Sequence, residues 1–93
     1  MQVEDELLDI NGVCRFWGGA ETPVHYSTIY RAITVGAHPS PIHPAPNLSR
    51  WLRSELQSAL AWRVALRDGR SRAASWAQWT AELAEQRSEE AAA

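Results

Sequence analysis

Apolar side chains recur at helical spacing in four separate stretches of this chain, and the gaps between them carry helix starts and stops. Ile10, Val13, Cys14 and Trp17 fall on one face of a first helix, with Asp9 placed to cap it and Gly18-Gly19 to end it. Ile29, Ala32 and Ile33 make the apolar face of a second helix before Gly36. Thr22 is its expected cap, and Pro23 sits at the first helical position, where its missing N–H does no harm. Leu56, Leu60 and Val64, with Ala59 and Trp62 beside them, form the stripe of a third helix. Ser54 and Gln57 have capping-box spacing at its start, and Asp68-Gly69 stops it. A fourth helix is expected over residues 71–84, with Trp76, Trp79 and Leu83 as a stripe bordered by Ala73 and Thr80, before a frayed tail over residues 88–93.

Between the second and third helices the pattern breaks. Pro39, Pro41, Pro44 and Pro46 lie among residues 37–47, and no helix survives that density. A short hairpin does, with prolines on an edge and at the turn and Leu48 to Leu52 as the returning strand. The expected fold is mainly α with a small β-hairpin.

The second helix carries the most informative polar face. Opposite Ile29 and Ile33 lie Ser27, Thr28, Arg31 and Thr34, short hydroxyls beside a guanidinium. Such a face suits a major groove, where hydroxyls reach phosphates or base edges and arginine takes guanine with two hydrogen bonds. Helix, glycine turn, helix is also the helix-turn-helix arrangement.

The segments Leu7-Leu8-Asp9-Ile10-Asn11-Gly12-Val13, Ser27-Thr28-Ile29-Tyr30-Arg31-Ala32-Ile33 with Gly36, and Ser49-Arg50-Trp51-Leu52-Arg53-Ser54-Glu55 together resemble a known family. It is the winged helix-turn-helix of excisionases, or recombination directionality factors, and of AlpA-like regulators, related to MerR-type proteins. The matching residues span about 7–66. Two departures stand out. The stretch Gly18 to His25 is longer than the family's short Gly-Val-Ser turn, and a proline- and histidine-rich hairpin replaces a lysine- and glycine-rich one.

The resemblance implies a protein that binds and bends double-stranded attachment-site DNA and favours excision by an integrase, with several copies side by side on the DNA. It places His25, Tyr26, Ser27, Thr28, Tyr30, Arg31 and Thr34 at or beside the recognition helix. His43 and Asn47 fall in the wing, and Arg50 and Arg53 are expected to hold phosphates. An AlpA-like transcriptional regulator is the alternative within the fold. A protein-interaction module built on the tryptophans, without DNA binding, is the alternative outside it.

Charge changes the picture by its distribution. The net charge is −2, which alone argues against nucleic acid. Residues 15–72, however, carry eight arginines against Glu21, Glu55 and Asp68, a balance of +5 between acidic ends. The expected organisation is an acidic tail over 1–6, the DNA-binding domain over 7–69, and a C-terminal helix with acidic tail over 70–93. Trp17, Trp51 and Trp62 enlarge a core that is small for this length. Trp76, Trp79 and Leu83 need a partner surface, either the same domain's third helix or a neighbouring copy, so self-association is one expected use of them.

Candidate chemistry is sparse. The three histidines His25, His38 and His43 lie before the second helix and in the hairpin, with no His-x3-His on a helix and no cysteine pair. No serine or cysteine has a base and an orienting acid at readable spacing. Neither catalysis, a cofactor nor a metal is expected. Cys14, the lone cysteine, reads as a small buried hydrophobe. With no signal-peptide pattern and no long apolar run, the expected location is the cytoplasm, away from membranes.

Overall fold

The computed structural model describes residues 5–92. The first four residues of the acidic tail and the last of the frayed tail lie outside them. The element order is β1 (Leu7–Leu8), α1 (Ile10–Gly18), α2 (Tyr26–Thr34), β2 (Ile42–Ala45), β3 (Leu48–Leu52), α3 (Arg53–Arg67) and α4 (Trp76–Ala92). These are four helices with a small three-stranded antiparallel sheet of order β1-β3-β2. Among the described residues no helix is long and apolar enough to cross a membrane.

Local chemistry sets most boundaries. Asp9 caps α1, its Oδ1 accepting from Gly12 N at 2.8 Å, and Gly19 ends the helix at φ 101°, a conformation that disfavours a side chain. Val35 closes α2, followed by Gly36 at φ 77°. Asp68 and Gly69 end α3 as expected. The hairpin also forms where the prolines predict it, with β2 an edge strand and Asn47 at φ 60° in the turn.

Four boundaries or faces differ from expectation. α2 starts at Tyr26 rather than after Thr22, because Thr22 Oγ1 donates to Gly18 O at 2.6 Å and Val24 N donates to Cys14 O at 3.2 Å. These bonds hold the intervening segment as a turn against the end of α1. Gly18 permits that approach, since a Cβ there would lie 2.6 Å from Val24 N. His25 takes over as cap.

Ser54 and Gln57 make no capping box. Asp5 instead reaches the start of α3, with Oδ1 accepting from Ser54 N at 3.1 Å and Oδ2 from the Ser54 hydroxyl. Those bonds hold the Asp5 carboxyl below its ordinary pKa range. The buried face of α3 is Leu56, Ala59, Trp62 and Ala65, whereas Leu60 stays 46% exposed. The stripe is therefore rotated away from Leu60, toward the neighbours that Trp62 finds in the C-terminal segment.

α4 starts five residues later than expected and continues through the segment read as frayed. Ser75 Oγ accepts from Gln78 N at 3.2 Å, and Gln78 Oε1 accepts from Ala74 N at 2.7 Å, a reciprocal cap that defines the start.

Two apolar clusters result. The first joins Val13 and Cys14 of α1, Ile29 of α2, Trp51 of β3 and Leu56 of α3, with Leu8, Ile10 and Ile33 packed around them. The second joins Trp62 and Ala65 of α3 to Ala73 and Trp79, flanked by Trp76 and Leu83.

Candidate nucleic-acid interface

The first cluster fixes which way α2 faces. Ile29 is buried and Ala32 and Ile33 are half-buried, so Thr28, Tyr30, Arg31 and Thr34 project outward, with Ser27 partly covered. The outward residues are held locally. Thr34 Oγ1 donates to Tyr30 O at 2.9 Å, and Arg31 Nε makes a long 3.4 Å bond to Ser27 O. A contact of that length on an exposed side chain is readily exchanged for a stronger acceptor.

At the start of α2, His25 Nδ1 accepts from Ser27 N at 3.2 Å and stands 2.8 Å from Ser27 Oγ. With Nδ1 accepting, a neutral His25 carries its proton on Nε2, at an exposed helix N-terminus. The ring stacks on Tyr26 at 4.3 Å between centroids. Tyr26 meets Tyr30 edge-on at 6.4 Å, and Tyr30 meets Trp51 at 6.2 Å. Tyr26 and Tyr30 remain 56% and 44% exposed. One aromatic row thus runs from the start of α2 to the sheet.

The hairpin carries His43 and Asn47, both exposed. His43 Nδ1 lies 3.3 Å from Leu48 O and 3.4 Å from Ser49 Oγ, tying β2 to β3. Arg50, opposite Ile42 in the ladder, is half-buried and donates to Ser49 O at 2.8 Å. Arg53 starts α3 and pairs with Glu6 at 3.4 Å, both side chains being largely exposed. A pair of that kind contributes little stability and opens easily.

His38 corrects the reading of the hairpin. It lies before β2, at 4% exposure, and accepts from Trp17 Nε1 at 2.9 Å through Nε2. Its Nδ1 stands 2.8 Å from Pro39 O, which also accepts from Trp51 Nε1 at 3.1 Å. His38 is therefore a core connector between α1, the loop and β3. Burial pushes its pKa down, and the Arg63 charge adds to that against the carbonyl bond.

Trp79 is buried within the chain at 8% exposure, and its Nε1 donates to Ser58 Oγ at 3.0 Å. Trp76 and Leu83 are half-buried against the same cluster. Of the two expected partners for this strip, the third helix supplies the cover. Cys14 is buried and forms no disulfide.

Sequence reading missed Arg15 and Arg63. Arg15 lies outside the apolar pattern of α1 and lines a cleft with Asn11, His25 and Tyr26. Arg63 donates to Ala37 O at 3.0 Å and lies over the Trp17 and Trp62 rings at 5.8 and 5.5 Å. No signal in the one-dimensional pattern marks Arg63, because its contacts to Ala37 and Trp17 come from distant segments. Comparison with known protein families, with characterised proteins and with solved structures gives no match to this chain.

Proposed function

We propose that this chain is a winged helix-turn-helix protein of the excisionase type, a recombination directionality factor. In this reading α1 and α2 form the helix-turn-helix, α2 enters the major groove, and the β2–β3 hairpin is the wing. The observation that carries it is α2 itself: Ile29 anchors one face in the core while Ser27, Thr28, Arg31 and Thr34 form the other, and Tyr30 meets Trp51 on the returning strand of the hairpin. Tyr26 and Tyr30 flank that face on the wing side.

The mechanism is positional. Arg31 reads a base edge, Arg50 and Arg53 hold phosphates, and His43 and Asn47 lie along the backbone or the minor groove. Several copies bound side by side bend the attachment site, with phosphate contacts offsetting the deformation energy, and the bent site favours excision by an integrase. Assembly through Trp79 requires α4 to lift from α3, since that side chain is already covered.

Selection of bound duplexes from a random pool, followed by gel-shift and circular-permutation bending assays on the selected site, tests the reading. A retarded complex with altered mobility by bend position is expected. No binding to any duplex removes the proposal. Binding without bending, together with repression from a promoter carrying the site, moves the chain to the transcriptional branch of the same fold.

A further inference from the structure

Arg15 lines two neighbouring clefts on one surface. The first contains Asn11, His25 and Tyr26, at the start of α2. The second contains Glu6, Phe16 and Arg53, at the start of α3. Three exposed cationic or donor groups from three different helix ends are thereby set in a row, His25, Arg15 and Arg53. The Glu6 carboxylate is the anion within it, 3.4 Å from Arg53. Between Arg15 and His25 the first cleft holds no acidic side chain.

From this juxtaposition we infer that His25, Arg15 and Arg53 form a phosphate track for one strand of duplex DNA, with Glu6 as the internal counter-ion that a phosphate replaces at Arg53. The inference rests on the DNA-binding reading above and adds a site to it. Guanidinium groups suit this role because their planar fork takes two phosphate oxygens at once. His25 adds a donor at Nε2, its Nδ1 being taken up by Ser27 N, and the N–H groups at the start of α2 favour the same anion. A row of this kind fixes the register of the protein on the duplex and carries no sequence information. It leaves base reading to Arg31 on the outer face of α2.

The test is fluorescence anisotropy of the full chain with two duplexes, the selected site and a scrambled one, across a sodium chloride series. The variants are Arg15→Gln, Arg15→Lys, Glu6→Gln, Arg31→Ala and, as a control, Arg72→Gln. Arg72 is exposed, lies in the loop after α3 and lines neither cleft. Arg15→Gln is expected to weaken both duplexes alike, by about three- to ten-fold, and to lower the salt slope by about one. Arg15→Lys retains the slope. Glu6→Gln tightens both duplexes, and Arg72→Gln changes neither affinity nor slope.

If Arg15→Gln behaves as Arg72→Gln does while Arg31→Ala still weakens the selected site, the track is wrong and the DNA-binding reading stands. A loss confined to the selected site makes Arg15 a base reader and also overturns the track. Failure of the unaltered chain to bind either duplex removes both. Should Arg15→Gln melt below the assay temperature, the Glu6→Gln arm decides, since unchanged affinity there overturns the track.

Discussion

The two apolar clusters share α3 but are built differently. The first gathers Val13, Cys14, Ile29, Trp51 and Leu56, one or two residues from each of four elements. The second takes Trp62, Ala65, Ala73 and Trp79 from a single helix–loop–helix segment. The first anchors the inner face of α2, through Ile29, against α1, β3 and α3 and so leaves the opposite face outward. The second props the far half of α3 and reaches the interface only indirectly, where Trp76 N donates to Gly36 O at 2.7 Å and Arg63 to Ala37 O. A chain this short has little core to spare. The difference teaches that its stability is concentrated where the proposed function needs rigidity, with a locally assembled clamp laid beside it.

Trp51→Ala breaks the comparison at its strongest point. Trp51 is 1% exposed, contacts the Tyr30 ring and donates to Pro39 O. Its truncation is expected to cost about 3–5 kcal/mol, enough to unfold a domain of marginal stability. Urea denaturation and dispersion of the amide proton spectrum check this. A cooperative transition shifted by less than about 1 kcal/mol would contradict the role given to the first cluster.

Trp79→Ala acts on the clamp. A loss of about 2–3 kcal/mol is expected, at or just below the usual range for tryptophan, because α4 is terminal and can settle into the gap. The lost bond to Ser58 Oγ contributes little, since that hydroxyl turns toward water. Ending the chain after Gly69 extends the test by uncovering Trp62 and Ala65. The shortened chain is expected to melt earlier and to associate through the uncovered patch, measured by circular dichroism and sedimentation. If Trp79→Ala leaves the melting temperature unchanged and abolishes cooperative DNA binding, the strip serves contacts between copies instead.

The same contrast explains what the sequence revealed. Asp9, Gly19, Asp68 and Gly69 act within a few residues of themselves, so helix ends set by them were legible. The outward face of α2 was legible because Ile29 and Ile33 fix it by spacing alone. The long-range contacts were not. β1 is two residues whose partners Trp51 and Leu52 lie over forty positions away. The cap of α3 comes from Asp5, so the local Ser54–Gln57 spacing was misleading. His38 looked like a hairpin residue because it sits among prolines, but its bond to Trp17 spans the chain from α1. Of the proposed DNA-facing set, the members on α2 follow from the pattern. The nearness of Arg15 to both Arg53 and His25 follows only from the fold.

Arg31→Ala sharpens the comparison from the interface side. The residue is exposed and outside both clusters, so stability is expected to stay within about 0.5 kcal/mol. Affinity for the selected duplex is expected to fall by about 1–3 kcal/mol, the size of one bidentate base contact. Arg50→Ala, by contrast, is expected to weaken all duplexes alike and to lower the salt slope by about one. Gel shifts at two salt concentrations separate these outcomes. Equal affinity of Arg31→Ala and the unaltered chain for the selected site would remove Arg31 as a reader.

The smallest effect is a pH dependence, and it arises at His38 beside the first cluster. Its Nε2 accepts from Trp17, so protonation there sets two donors against each other beside the Arg63 charge. Burial, first, and Arg63, second, hold the folded pKa below the ordinary 6.5. The unfolded chain then binds the proton more readily than the folded one. Stability is therefore fully present above about 6.5 and declines as the pH falls from there toward the lowered folded value. The Asp5 and Asp68 carboxyls, held low by their hydrogen bonds, lose their contributions only in more acidic solution. Urea unfolding between pH 7.5 and 5.5 should thus show a gradual loss of stability. Tryptophan emission should shift in the same window as the Trp17 indole loses its acceptor. His38→Gln keeps an acceptor for Trp17 but cannot titrate, and is expected to flatten the profile at a lower overall stability. A profile identical in slope for both chains would mean that His38 does not carry the dependence. His38 would then join α1, the loop and β3 by packing alone.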